Sequence, residues 1–330
     1  DRATGGSSSG SAVAVAIGAA FASLGSDSGG SIRTPASWCG ICGLKPTRGA
    51  IPTTGVMPLS ATMDSVGIMA RTAADLAAVF PLLTGADGMD AQARGAVAWE
   101  ESALERALAT QPRLGVIDRW FEEDLSEDVA SGLDAIRRTW AEELGARVVS
   151  ADFNRIAETV AHARTVLLRE AWDTHEPLLE HHDSLYSAGV KARLLAGSEI
   201  DPAALRAALE ALPGLQQALL DQAFRNADVL LLPATPTTAP RIDQTDLAAI
   251  TDPAPAILRQ VDGITRCLRP FNLLGVPSLV LPGGMDREGM PFGFQLVGRP
   301  GAEASLLGLG MRWQAATDWH QRRPPGWEAE

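Results

Sequence analysis

Apolar positions along the chain follow two different periods, one typical of helices and one typical of buried strands. Five apolar residues recur at spacings of three and four: Val129, Leu133, Ile136, Trp140 and Leu144. This spacing places them on one face of a helix, which is therefore predicted to pack against a core. Short segments with an extended pattern lie on either side of it, Leu114-Gly115-Val116-Ile117 and Arg147-Val148-Val149, and predict strands. The three segments together predict one strand-helix-strand unit.

Helical and extended patterns alternate in the rest of the chain as well. The longest apolar run, residues 12–24, is rich in Ala and Gly and predicts a buried helix over 12–22 with Ser11 as its N-cap. Residues 156–224 have a mostly helical pattern, and turns are expected there near Pro177, Gly197 and Pro213.

Later segments complete the pattern. Three strands and a final helix are predicted at 229–233, 278–282, 292–297 and 302–317, and only 245–255 has the pattern of a surface linker. Strands interleaved with helices in this way predict an α/β fold in which a mixed β-sheet is sandwiched between helices. We expect a single large domain.

The composition is that of a globular protein. The 330 residues, 46% of them hydrophobic, are enough to bury a large core. The net charge of -12 and the lack of a basic run argue against a nucleic-acid surface. The apolar run near the start is shorter than the roughly 20 residues of a membrane span and has no preceding basic region. We expect a cytoplasmic protein that meets neither nucleic acid directly nor a membrane.

The three cysteines suggest packing rather than chemistry. Cys39 and Cys42 have the spacing of a redox pair or half of a zinc site, but no second ligand pair accompanies them. We therefore expect Cys39, Cys42 and Cys267 to be reduced and buried, and we expect no metal.

Two glycine-serine turns near the start of the chain are the strongest candidates for a site. The first runs from Gly5 to Ser11 and the second from Gly25 to Ser31. Because glycine permits unusual backbone angles and close approach to a ligand, such turns can aim hydroxyl and N–H groups at one point. An active site would need this arrangement, whereas the packing of a core would not.

Other interpretations of these turns are weaker. Residues 6–10 match the nucleophile elbow of α/β-hydrolases with Ser8 as nucleophile, but that mechanism needs a late histidine, and only His320 lies late enough. A phosphate-binding loop needs a lysine after its glycines, and none follows either turn. A purely structural role as helix caps explains Ser11 but not the dense second turn.

The two turns, continued through Cys39-Gly40-Ile41-Cys42-Gly43-Leu44-Lys45-Pro46-Thr47, resemble the amidase signature family. The resemblance extends to the motifs at 228–236, 270–277 and 291–298, so that residues 1–90 and 226–320 carry it. It implies one partial amidase domain over 1–330, incomplete at the N-terminus. In this division 1–90 is the signature core with the nucleophile, 91–225 a variable and mainly helical region, and 226–320 the C-terminal part of the sheet core.

The resemblance also implies a Ser-cisSer-Lys triad that cleaves amides without histidine, metal or cofactor. By motif position, Ser31 resembles the nucleophile and Ser7 the bridging serine, preceded by a cis Gly6-Ser7 peptide bond. The oxyanion hole resembles the backbone N–H groups of four consecutive residues: Ser28, Gly29, Gly30 and Ser31. We expect Ser8, Asp27 and Arg33 to be supporting residues, the last two holding the turn through hydrogen bonds.

Two departures from the family pattern stand out. Ser9 occupies a position that is more often glycine, a change that we expect to be tolerated. The family's lysine lies well upstream of the bridging serine, and the chain's two lysines, Lys45 and Lys191, do not match it. A lysine base needs burial or a cationic neighbour to be neutral near pH 7, and neither position suggests that environment. We expect the base upstream of residue 1, and the isolated chain to be inactive or severely impaired.

The function implied by the resemblance is hydrolysis of a small carboxamide through a seryl acyl-enzyme. One alternative is the glutaminase (A) subunit of a tRNA-dependent amidotransferase, although Arg269-Pro270-Phe271-Asn272 looks more like the stand-alone enzymes. A second alternative is a non-catalytic relative that binds a ligand. The expected partner is a small-molecule amide, and a homo-oligomer stays open.

Overall fold

Eight strands form one continuous sheet in the described part of the chain, which in this computed structural model comprises residues 1–95, 99–245 and 262–327. The strands are β1 (Ala22–Ser26), β2 (Cys42–Lys45), β3 (Val66–Ala70), β4 (Arg113–Val116), β5 (Arg147–Ser150), β6 (Val229–Pro233), β7 (Ser278–Met285) and β8 (Pro291–Val297). Their order is β1-β3-β2-β7-β8-β6-β4-β5. Strand β4 is parallel to β5 and β6, and the other neighbouring pairs are antiparallel. The predicted mixed sheet is confirmed.

Helices cover both faces of this sheet. They are α1 (Ser9–Ala16), α2 (Arg33–Trp38), α3 (Ala73–Leu83), α4 (Glu101–Ala109), α5 (Glu127–Arg138), α6 (Ile156–His182), α7 (Ala188–Ser198), α8 (Pro202–Gln222), α9 (Ile242–Thr245), α10 (Pro270–Leu273) and α11 (Glu303–Ala316). One core cluster joins the sheet to α3, α4, α5 and α11. Two others join it to α6, α8 and α10, and to α1 and α2. The sandwich is therefore as predicted.

The unbroken apolar strands follow from burial on both faces. In β6, Leu231 belongs to one core cluster, whereas Leu230 and Leu232 belong to another. Since successive side chains of a strand point to opposite faces of the sheet, β6 is buried on both faces and has no solvent-facing side. The strand-helix-strand unit is also confirmed: β4 and β5 are parallel neighbours, and the predicted face of α5 is buried.

Helix α1 differs from its prediction at both ends. It begins after Ser8 rather than after Ser11, and it ends at Ala16 because Gly18 has a φ of 79°. A glycine in this left-handed conformation terminates a helix. The chain then turns into β1, so the second half of the predicted helix over 12–22 was wrong.

Two of the turns expected in the helical middle are absent. Pro177 lies inside α6 and Pro213 inside α8, where buried Leu212 and Leu215 pack on either side of the proline. This packing offsets the backbone hydrogen bond that proline removes. Gly197 is also helical, and its Cβ would lie 2.0 Å from the Leu168 carbonyl oxygen, so it permits close contact between α7 and α6. Beyond residue 245, the predicted linker at 245–255 lies outside the described residues.

The remaining predictions concern cysteines and membranes. All three cysteines lie in the described residues and none forms a disulfide; Cys42 and Cys267 are buried and Cys39 is partly buried. Burial raises the pKa of Cys39 to about 11, which keeps its thiol protonated near neutral pH. None of the helices described here is both long enough and apolar enough to cross a membrane.

Candidate active site

The two glycine-serine turns meet at one cavity. The cavity has a volume of about 540 Å³ and is lined by Ser7 from the first turn and by Ser28, Gly29 and Ser31 from the second. The backbone N–H of Ser8 donates to the Ser31 carbonyl oxygen at 3.1 Å and joins the two turns. The first turn leads into α1, and the second connects β1 to α2. The sheet edge and two helices therefore position both turns.

The first turn depends on a glycine that no other residue can replace easily. Gly5 has a φ of 78°, and a Cβ there would lie 2.9 Å from backbone atoms of Pro35. The following Gly6-Ser7 peptide bond is cis, as the resemblance implies. The Ser9 hydroxyl donates to the Gly5 carbonyl oxygen at 2.7 Å, so the unusual serine is accommodated within the turn.

The second turn folds around the carboxylate of Asp27, which is 0% exposed. The backbone N–H of Gly30 donates to its Oδ1 at 2.7 Å, and those of Ile32 and Arg33 donate to its Oδ2 at 3.1 Å and 3.4 Å. A carboxylate that accepts three backbone hydrogen bonds fixes the path of the turn that it caps. The Asp27 carboxylate therefore holds the backbone of the second turn in place.

Arg33 and Asn272 complete a buried polar cluster with Asp27. Arg33 Nε and Nη2 each donate to the Asp27 carboxylate at 3.0 Å, and Asn272 Nδ2 donates to its Oδ1 at 2.8 Å. Burial alone would raise the pKa of Asp27, but the Arg33 charge and these hydrogen bonds hold it well below its usual range. Asp27 and Arg33 therefore make the hydrogen bonds that we expect of supporting residues, and Asn272 is a third member that the sequence does not reveal.

One of the four N–H groups assigned to the oxyanion hole is already engaged. Gly30 donates to Asp27, so the expectation for this residue needs correction. The N–H groups of Ser28, Gly29 and Ser31 make no hydrogen bond with another described residue. Glycine is needed at position 30 for a different reason: its φ is 121°, and a Cβ would lie 2.9 Å from Leu268 Cδ1. Three N–H donors remain for a ligand.

A second carboxylate orients Ser28. The Ser28 hydroxyl donates to Oδ1 of Asp64, while the N–H groups of Leu59 and Ser60 donate to its Oδ2 at 2.8 Å and 3.0 Å. This contact ties the second turn to the loop before β3. The sequence shows no sign of it, because Asp64 lies in an unremarkable stretch between two turns.

Neither lysine of the chain lines the cavity. Lys45 is 0% exposed at the end of β2, and its Nζ donates to the Pro46 carbonyl oxygen at 2.7 Å. Burial, and after it the Arg33 charge, lowers the pKa of Lys45 to about 7. The expectation that Lys45 lacks such an environment was wrong, because β2 is an interior strand of the sheet. Lys191 lies on α7 and pairs with Asp183; a base upstream of residue 1 stays a prediction.

The alternative chemistries find little support in the geometry. The Ser8 hydroxyl donates to the Ser26 carbonyl oxygen at 3.2 Å. Among the described residues that line the cavity, neither Ser8 nor His320 is present. The described residues also contain no group of three or more His, Cys, Asp or Glu side chains able to hold a metal ion. Ser7 and Ser31 are the hydroxyl pair brought to one cavity across the two turns.

Sequence reasoning missed the charged residues of the cavity. Arg193 on α7 and Arg269 before α10 both line it, together with Leu167 on α6. Arg193 and Leu167 come from the region with no recognisable motif. Their approach to the serines depends on how α6 and α7 pack on the sheet, and no spacing in the sequence signals that.

Comparison with known proteins agrees with this geometry. A family model described as Amidase matches residues 1–307. The A subunit of the glutamyl-tRNA(Gln) amidotransferase from Chloroflexus aggregans is 34% identical over 348 residues, which cover 98% of this chain and 68% of that protein. Sequence similarity thus extends over nearly all of the chain.

Two solved structures resemble the chain closely in fold. A crystal structure of an amidase has a TM-score of 0.78 at 32% identity, covering 96% of this chain and 67% of that one. The 6-aminohexanoate cyclic dimer hydrolase complexed with substrate has a TM-score of 0.85 at 25% identity, covering 98% and 70% respectively. Both similarities extend over nearly the whole chain.

Proposed function

The chain belongs to the amidase signature family of amide-cleaving enzymes, and we propose that it hydrolyses a small carboxamide through an acyl-enzyme on Ser31. In this mechanism Ser31 Oγ attacks the carbonyl carbon, the C–N bond breaks, and the amine or ammonia leaves with a proton. Water then hydrolyses the ester on Ser31 and releases the acid. The observation that carries the proposal is the meeting of Ser7, Ser31 and the backbone N–H groups of the second turn at one cavity.

Ser7 relays the proton in this proposal. As the nucleophile attacks, Ser7 accepts the proton of Ser31 and passes its own hydroxyl proton to a base. The same relay then runs in reverse and protonates the leaving nitrogen. The hydrogen bond from Ser8 to the Ser31 carbonyl oxygen supports the assignment because it holds the two turns in a fixed relation. Since neither Lys45 nor Lys191 lines the cavity, the partner of Ser7 in proton transfer is another base.

The N–H groups of Ser28, Gly29 and Ser31 stabilise the oxyanion in this mechanism. Each such donor contributes about 3 kcal/mol to the transition state of acyl transfer when it is held in place beforehand. The Asp27 cluster provides that preorganisation, because its hydrogen bonds fix the backbone on which these donors lie. The N–H group of Gly30 donates to Asp27 and therefore stabilises the turn rather than the substrate.

Release of ammonia from short aliphatic carboxamides tests the proposal, with protein expressed from its complete reading frame. Ser31→Ala should lower kcat/KM by at least about 10³-fold, because no other group replaces the nucleophile. Ser8→Ala is the matched control, since the Ser8 hydroxyl donates to the Ser26 carbonyl oxygen and Ser8 does not line the cavity, and this variant should retain activity within about tenfold. Hydrolysis that survives in Ser31→Ala, or is lost only in Ser8→Ala, would refute the assignment.

A second candidate function is supported by the curated relatives. The protein from Chloroflexus aggregans that is 34% identical is the A subunit of a glutamyl-tRNA(Gln) amidotransferase. The same serine chemistry on glutamine would then supply ammonia to another subunit. Co-expression with the other subunits of such an enzyme tests this candidate: a stable complex at gel filtration favours it, and elution of the chain alone with carboxamide hydrolysis intact favours the stand-alone enzyme.

A further inference from the structure

The cavity carries positive charge that none of the described residues lining it neutralises. Among those residues are Arg2, Arg193 and Arg269 but no aspartate or glutamate. Arg2 forms an ion pair with Glu288 outside the cavity. Arg269 also forms an ion pair with a residue that does not line the cavity, Asp262. We call Arg193 and Arg269 the arginine pair; both line the cavity together with Ser7 and Ser31. An excess of guanidinium groups in a partly enclosed space favours an anionic ligand.

Arg269 is fixed in position but has an unused donor. Its Nη1 donates to Asp262 and its Nη2 to Thr265 Oγ1, whereas its buried Nε has no hydrogen-bond partner among the described residues. This nitrogen lies against the second serine turn: a Cβ placed on Gly29 would be 3.4 Å from it. A buried donor without a partner costs free energy, and a ligand acceptor at this place would satisfy it.

Arg193 has no partner of its own in the part of the chain that the structure describes. It is partly buried on α7, and it makes neither a hydrogen bond nor an ion pair there. Arg193 and Arg269 line the same cavity. Burial and the Arg269 charge lower the pKa of Arg193, whereas the Asp262 charge raises it. The nearby carboxylate of Asp262 is already shared between Arg269 and Arg164. Arg193 is therefore left without an ion-pair partner among the described residues.

We infer that the arginine pair binds a carboxylate group carried by the amide substrate. The planar guanidinium matches a carboxylate in geometry and charge, and Nε of Arg269 and the free donors of Arg193 supply the hydrogen bonds. Leu59, Leu167 and Ile264 also line the cavity, so a short aliphatic chain fits between the carboxylate and the amide. The inference rests on the proposed function, because it names the substrate of Ser31.

Calorimetric titration with succinate and with succinamide tests the subsite, and in Ser31→Ala, which lacks the proposed nucleophile, it does so without any chemical step. The two probes have similar size and differ in charge. Succinate should bind at least about tenfold more tightly than succinamide, because a hydrogen bond between charged groups is stronger than one to a neutral amide. Equal affinities for the two probes would overturn the inference.

Substitutions assign the effect to the arginine pair. Arg193→Gln should weaken succinate binding by about 10- to 100-fold and leave succinamide binding unchanged. Arg193 makes no contact that the described fold needs, so this variant should fold; Arg193→Lys keeps the charge and should restore part of the affinity. Arg206→Gln, at an exposed position of α8, is the matched control and should bind like the wild type. Unchanged succinate binding in Arg193→Gln would refute the assignment.

A third variant separates this inference from the proposed function. Ser31→Ala removes the proposed nucleophile and should retain the preference for succinate, since binding needs no acyl transfer. Charge-selective binding in a protein that hydrolyses no amide would leave the subsite standing and refute the enzyme. If hydrolysis is observed, the fall in kcat/KM caused by Arg193→Gln should be about 10- to 100-fold greater for succinamate than for butyramide. An equal fall for both substrates would overturn the subsite.

Discussion

The serine turns and the arginine pair line the same cavity but are held in opposite ways. The second serine turn closes on Asp27, whose carboxylate accepts hydrogen bonds from three backbone N–H groups as well as from Arg33 and Asn272. Arg193, by contrast, makes no hydrogen bond or ion pair within the described residues, and Nε of Arg269 is buried there without a partner.

The difference in hydrogen bonding corresponds to two different roles, stabilising a transition state and recognising a substrate. Groups that stabilise a transition state act best when their positions are fixed before the substrate arrives. Donors that recognise a substrate are instead left unsatisfied until it binds, at a cost in stability to the free protein. In the function that we propose, the serine turns carry out the reaction and the arginine pair recognises the substrate.

The largest effect is expected when the cluster beneath the serine turns loses its charge. Asp27→Asn leaves Arg33 buried without a counter-ion, which should lower the free energy of unfolding by about 3–5 kcal/mol. Asp228→Asn is the matched control: its pair with Arg113 is almost half exposed and should cost only about 0.2–1 kcal/mol. Urea unfolding followed by tryptophan fluorescence measures both. Equal losses in the two variants would mean that the cluster does not hold the turn.

The lowered pKa of Asp27 also has a consequence in acid. Its stabilising contribution is complete above the ordinary value of 3.8 and is lost as the pH falls toward the lowered pKa in the folded state. The wild type should therefore lose stability below about pH 4 more steeply than Asp27→Asn. Parallel pH profiles for the two proteins would contradict a charged Asp27 in the folded state.

A somewhat smaller effect is expected from Lys45, behind the serine turns. Its pKa is about 7 when folded and 10.5 in the reference state, so the unfolded chain binds more protons between these values. Stability should then rise with pH by about 2–3 kcal/mol between pH 7.5 and 9.5, and this rise should be smaller in Lys45→Met. Lys191→Met removes a partly exposed lysine and should keep the wild-type slope. A slope that Lys45→Met leaves unchanged would show that the amine is not desolvated.

The smallest effect tests the packing of the second turn against the residue before Arg269. Gly30→Ala should cost about 1–3 kcal/mol, because φ is 121° and the new Cβ would meet Leu268 Cδ1 at 2.9 Å. Gly85→Ala is a close control, with a φ of 122° and nothing within 4 Å among the described residues. The difference in unfolding free energy between the two variants isolates the contact. If Gly85→Ala is as destabilising as Gly30→Ala, backbone conformation alone explains the glycine.

The parts of the molecule that could be predicted depend on local signals. Strand β6 is an unbroken apolar run, β7 and β8 each contain a short apolar stretch, and the serine turns are contiguous motifs. Each of these can therefore be recognised from a few neighbouring residues. The turn expected near Gly197 is present between α7 and α8, but the close contact of Gly197 with the Leu168 carbonyl oxygen on another helix has no signal in the sequence. The burial of Lys45 and the position of Arg193 at the cavity could not be predicted for the same reason. Both depend on the packing of segments that are distant in sequence.

The central claim is that Ser31 accepts the acyl group, and labelling with a fluorophosphonate tests it most directly. The protein from the complete reading frame should gain one adduct, which peptide mapping by mass spectrometry should place on Ser31. Ser31→Ala should lose the adduct, and Ser8→Ala should keep it. An adduct on Ser8, or one that persists in Ser31→Ala, would contradict the account.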